Sequence, residues 1–122
     1  MKETVIVYNI EGDRLSKLKM TLIPLRIALK IVSEEEFSQP IGFLLGMKDV
    51  ENSSENAGES FDEELLVMSG FTGAKVERFL RSLSKKGVKI PLKAVVTETN
   101  RFWSGCELYK AVKVDHEEMS KR

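Results

Sequence analysis

The residues able to do chemistry sit in a few short stretches. Ser69-Gly70-Phe71-Thr72-Gly73 joins an apolar run to an amphipathic one. Backbone N–H groups of such a turn can hold a phosphate or carboxylate. Thr97, Thr99, Asn100 and Trp103 form a second polar turn with one large aromatic, and Asn9 and Ser33 end two further apolar runs. Hydroxyls, amides and glycines are also what caps and turns require, so each stretch has a structural reading beside the binding one. Neither the G-x-x-x-x-G-K-[ST] nor the G-x-G-x-x-G phosphate loop is present. Cys106 and His116 are the lone members of their kinds, which argues against a protein-only zinc site and a Cys–His pair. Glu34, Glu35 and Glu36 read as the acidic first turn of a helix rather than a catalytic carboxylate pair. No nucleophile–base pair or cofactor fingerprint emerges, so the reading is a noncatalytic module without a cofactor.

The elements that would place these residues alternate between strand and helix. Thr4 to Ile10 is β-branched and aromatic, a strand buried on both faces. Asp13 is the expected cap of a helix bearing Leu15, Leu18 and Leu22, with Pro24 as its end. Arg26 to Val32 reads as a second strand. Ser33 and Glu36 make a capping box, Pro40 stops that helix, and Ile41 to Gly46 is a helical turn or docked loop. Leu65 to Ser69 is a third strand. Thr72 caps a helix with Val76, Phe79, Leu80 and Leu83 on one stripe, closed by Gly87. Pro91 opens a fourth strand through Lys93 to Thr97. Ser104 and Glu107 form a second capping box before a last helix carrying Leu108, Ala111 and Val112, whose tail beyond His116 should fray.

This βα-βα-βα-βα order predicts an α/β domain over 1–122 with a mainly parallel four-stranded sheet, order 2-1-3-4, and helices on both faces. A ferredoxin-like α+β layout with mixed strand directions is the alternative. No internal repeat stands out. In a parallel sheet the carboxyl ends of all strands share one edge, where ligands bind. That edge would gather Asn9, Ser69, Gly70, Phe71, Thr72, Thr97, Thr99, Asn100 and Trp103. Phe71, Phe102 and Trp103 would cluster there as an aromatic platform or as a cover for the sheet end. This layout argues against a phosphorelay receiver, because the position of its acceptor Asp at the end of the third strand holds Ser69 or Gly70 here.

Charge and composition narrow the functions further. Nineteen basic and nineteen acidic residues cancel, which argues against nucleic acid and membrane surfaces as bulk-charge partners. No run approaches the roughly 20 apolar residues of a membrane span, and the N-terminal run lacks signal-peptide order. A single cysteine fits a reducing, cytoplasmic setting. The charges are unevenly placed. Asp49 to Glu64 holds seven acidic residues and no basic one, reading as a mobile loop at about 48–63. Asn52-Ser53-Ser54 within it is a chance glycosylation match. Thr72 to Lys93 holds seven basic residues against Glu77 alone, with Arg78, Arg81 and Lys85 near one helix face. The leading expectation is a small ligand or peptide at the strand edge. The alternative is a protein-interaction or self-association domain, a homodimer included, using the basic helix 72–87 and the acidic loop 49–64.

The second half carries a resemblance as well. Leu65 to Phe71 (LLVMSGF), the amphipathic helix, and above all Pro91 to Trp103 (PLKAVVTETNRFW) resemble the bacterial domain-of-unknown-function family 3783. Gln39-Pro40, Gly42 and Gly46 look like the upstream part of longer members. The resemblance implies a small bacterial α/β domain and brings no activity with it.

Overall fold

The computed structural model describes residues 2–55 and 57–120; the end of the expected fraying tail, Lys121 and Arg122, and Asn56 of the acidic loop lie outside them. Strands β1 (Thr4–Tyr8), β2 (Ala28–Ile31), β3 (Leu65–Ser69) and β4 (Lys93–Val95) form one sheet in the order β2-β1-β3-β4. Helices α1 (Gly12–Leu25) and α3 (Gly73–Lys85) cover one face, and α2 (Ile41–Leu44) and α4 (Gly105–Ser120) the other. Alternation along the strands explains the two layers. Val5, Val7, Leu66 and Met68 point into a core with Leu18, Leu22, Phe79 and Leu83. Ile6, Tyr8, Leu65 and Val67 point into a second core with Phe37, Ile41, Phe61, Cys106 and Leu108. Among the described residues no helix is long and apolar enough to cross a membrane.

Local signals are used largely as written. Glu36 accepts from the Ser33 N–H and hydroxyl, Thr72 Oγ1 accepts from Lys75 N–H, and Ser104 and Glu107 bond reciprocally. Helix α1 departs from expectation at both ends. It starts at Gly12 behind Glu11 rather than behind Asp13, and Pro24 lies inside its last turn. The helix ends because Arg26 turns left-handed at φ 57°.

The expected strand order holds, and the sheet is mixed rather than all parallel. β1 runs parallel to β2 and β3 parallel to β4, but β1 and β3 are antiparallel, with Thr4 opposite Ser69 and Tyr8 opposite Leu65. The connection after β2 explains this. Asn9, whose backbone is left-handed at φ 63°, donates through its side-chain amide to the carbonyls of Phe61 (2.7 Å) and Glu63 (3.0 Å). The Phe61 ring stacks on Tyr109 and packs against Tyr8 and Phe37. The chain is therefore held at the carboxyl end of β1 just before β3 begins, and β3 can only run back.

The antiparallel centre makes the molecule two equivalent β-α-β-turn-α units about a pseudo-two-fold axis. Thr4–Tyr8 matches Leu65–Ser69 and Gly12 matches Gly73 at a constant offset. Left-handed Asn9 and Arg26 match left-handed Gly70 and Gly87. The bond from Ile27 N–H to Leu22 O (3.2 Å) matches that from Val88 N–H to Leu83 O (3.3 Å). Arg14 pairs with Glu64 just before β3, and Lys75 pairs with Glu3 just before β1. Equivalent residues oppose each other on the axis, Ile6 with Val67 and Pro40 with Ser104. The second unit carries one insertion, Lys89-Ile90-Pro91, between Val88 and Leu92. Residues 47–63 join the units. They are tethered by Asp49 to Arg101, by buried Val50 and Phe61, and by Gln39 to the Ser53 backbone in both directions.

Candidate functional site

Mixed strand directions split the expected ligand edge in two. Ser69, Gly70, Phe71, Thr72, Thr97, Thr99, Asn100 and Trp103 follow the carboxyl ends of β3 and β4. Asn9 and Ser33 follow those of β1 and β2, at the opposite edge. Asn9 is there as a loop clamp, its amide occupied by the Phe61 and Glu63 carbonyls.

At the β3/β4 edge lies a cleft of about 250 Å³, bordered by Met47, Ser69, Gly70, Phe71, Thr97 and Arg101. A neighbouring hollow of about 320 Å³ shares Met47 and Ser69 and reaches Lys2 and Thr4. Each wall has a local cause. Gly70 turns the chain out of β3 at φ 81°, where a side chain is disfavoured. Thr72 caps α3, so its hydroxyl is occupied by Lys75 N–H. Thr97 N–H donates to Asn100 Oδ1 (2.7 Å), Asn100 N–H donates to Thr97 Oγ1 (3.0 Å), and Asn100 Nδ2 donates to Val95 O (3.1 Å). Asn100 is thus a buried turn-former, and it sets the position of Thr97 and Arg101. Thr99 is exposed beside them.

Arg101 is the cation of the cleft, whose lining also holds Glu98. Its Nη1 donates to Asp49 (2.8 Å), and its guanidinium lies 4.2 Å from the Phe102 ring centre. Its Nε is buried without a hydrogen-bond acceptor among the described residues, the Glu98 carboxylate standing 3.5 Å away. Both acidic partners are well exposed, so these pairs stabilise little in water. A planar cation held over an aromatic ring at a loop between two caps is the signal that could have been read.

The aromatic platform does not form. Phe71 packs edge-on against Phe79 under α3, whereas Trp103 packs into the other core, across the sheet. Phe102 is 49% exposed and carries Arg101. Cys106 is buried at the start of α4, and desolvation pushes its thiol up from the ordinary value, with nearby Glu59 adding to the effect. A thiol held protonated is a poor nucleophile. Arg78, Arg81 and Lys85 lie exposed on the outer face of α3 and make no ion pair among the described residues. Part of the acidic segment is engaged internally: Asp49 with Arg101, Glu63 with Lys113 and Tyr109, and Glu64 with Arg14.

The pseudo-two-fold supplies a comparison within the chain. Ser69 is equivalent to Tyr8, Gly70 to Asn9, and Arg101 to Phe37. In the first unit Tyr8 and Phe37, joined by Phe61, fill the space at the strand ends with rings 4.9 to 5.5 Å apart. In the second unit the same place holds a small hydroxyl, a glycine and a cation, and a cleft remains. No curated protein and no solved structure matches the chain. Residues 64–119, the span of the second unit, match the family model described as Domain of unknown function (DUF3783), so the resemblance carried by Leu65 to Trp103 holds.

Proposed function

We propose that the protein is a noncatalytic binding module that takes a small ligand or peptide in the cleft at the carboxyl ends of β3 and β4. The observation that carries this reading is the asymmetry between equivalent ends. One is plugged by Tyr8, Phe37 and Phe61, and the other is left concave by Ser69, Gly70 and Arg101. Concavity with a few polar groups is the usual form of a ligand site. The setting we propose is a bacterial cytoplasm, from the family resemblance and the lone buried cysteine.

The test is a thermal-shift screen of the full chain against nucleotides, phosphorylated metabolites, amino acids and short peptides. A ligand at a hundred times its Kd adds about 2.7 kcal/mol, a shift of roughly 10 °C for a domain of this size. Two variants copy the closed unit, Ser69→Tyr and Gly70→Asn. A hit should weaken in both while far-UV circular dichroism stays unchanged. A hit that shifts both folded variants as much as wild type would place the ligand elsewhere.

A second reading rests on the unpaired basic face of α3. Arg78, Arg81 and Lys85 could dock on an acidic partner or on the Glu51 to Glu59 stretch of another copy. Salt-dependent sedimentation that is lost when 51–59 is deleted would favour that reading.

A further inference from the structure

We propose that the open edge of β4 and the groove beside it form a docking surface for an extended peptide, apolar at its centre and flanked by acidic residues. The groove shares no lining residue with the cleft, which meets the strand edge only at Val95. β4 is the last strand of the sheet on its side. Leu92 O accepts from Leu66 N–H, and Val96 N–H donates to Met68 O, so these residues face inward to β3. By strand alternation the N–H and C=O of Lys93 and the N–H of Val95 face outward. The outward carbonyl of Val95 is taken by the Asn100 side chain. An outward row of backbone groups fits another extended strand.

Alongside runs an apolar groove of about 430 Å³ between α3 and the approach to β4. Leu80, Leu83, Val88, Ile90 and Pro91 form it. The first unit contains the difference needed to judge it. There, Ile27 leads directly into β2, without the Lys89-Ile90-Pro91 insertion, and the residue equivalent to Leu80 is Lys19. The second unit therefore adds the groove's outer wall and replaces a charge on its floor with leucine. Exposed Lys89 and Lys93 border it, and Arg81 and Lys85 continue the positive field along α3. Complementarity then selects carboxylates on either side of the apolar anchor. Pro91 and the short β4 blunt the edge against indiscriminate pairing, so a partner needs the groove contact as well as the strand bonds.

The probe is a phage-displayed library of random dodecapeptides panned on the full chain, followed by synthesis of the enriched sequences. Enriched peptides should share an apolar core with acidic flanks, and should shift the backbone amides of Lys93, Val95 and Leu80. Leu80→Lys, which copies the first unit, should weaken them at least tenfold. Lys93→Pro, which removes an outward donor at an edge that tolerates proline, should do likewise. Both variants are checked for an otherwise unchanged amide spectrum. A panning that enriches nothing overturns the proposal, as does a peptide bound equally by both folded variants. A peptide that shifts Ser69, Gly70 and Thr97 instead overturns it while supporting the cleft.

Discussion

Replacing Asn9 tests the cause assigned to the antiparallel centre. Its side-chain amide makes two bonds, at 2.7 Å to the Phe61 carbonyl and 3.0 Å to that of Glu63. The first is partly buried and the second exposed, so together they contribute about 1.5 kcal/mol. The backbone at φ 63° adds a second effect, since alanine in the left-handed region costs about 1 kcal/mol more than glycine. Asn9→Gly should therefore lose about 1.5 kcal/mol and Asn9→Ala about 2.5 kcal/mol. Urea unfolding followed by circular dichroism reads both. With a slope of about 2 kcal/mol per molar the midpoints fall by roughly 0.7 M and 1.2 M. The ordering matters as much as the size, because Gly70 occupies the equivalent left-handed position. If Asn9→Ala unfolds within about 0.2 M of wild type, the clamp is not what directs the chain into β3.

Other consequences are simpler. Tyr8 is fully buried, and its hydroxyl has no partner among the described residues. Tyr8→Phe should be neutral or stabilising by up to about 1 kcal/mol, measured by the same unfolding curves. Gly105 lies under that ring, where a Cβ would sit 2.4 to 2.7 Å from its atoms. Gly105→Ala should cost about 1–3 kcal/mol through overpacking, and an unchanged melting temperature would contradict the contact. Burial pushes the Glu36 carboxyl up, but bonds from the Ser33 N–H, from Lys30 and from the Ser33 hydroxyl outweigh it and hold it below the ordinary glutamate value. Its folded pKa is thus lower than its unfolded one, so its contribution is present above the unfolded value and is lost as pH falls through the folded one. Glu36→Gln should lie below wild type at neutral pH and converge with it in acid, as read by urea midpoints across pH 7 to about 3.

The sequence was legible where one residue decides one thing. Thr72, Ser33 with Glu36, and Ser104 with Glu107 each meet their backbone partner within a single turn, so spacing alone finds them. The strand order follows from alternating elements and short crossovers. The direction of β3 does not, because it depends on Asn9 reaching across more than fifty positions to a carbonyl before that strand. The two-fold was hidden for a related reason. Its equivalents share a backbone shape and a buried position rather than an identity: Asn9 with Gly70, Arg26 with Gly87, Leu18 with Phe79. The site was half legible. Ser69, Gly70, Phe71 and Thr97 are brought together as expected. Asn100 and Thr72 are spent on turns, and Asn9 stands at the other edge. Arg101 was missed because its setting is made by Met47 and Asp49, from the joining segment.

The account's central claim is that one end of a two-fold fold is plugged and its equivalent is open to a ligand. Amide chemical-shift mapping of the hits from the thermal-shift screen tests it most directly. The account predicts perturbations centred on Met47, Ser69–Thr72 and Thr97–Arg101, with Asn9–Gly12 and Ser33–Glu36 unmoved. Shifts centred on the Asn9 and Ser33 end, with the Ser69 and Thr97 end silent, would contradict it.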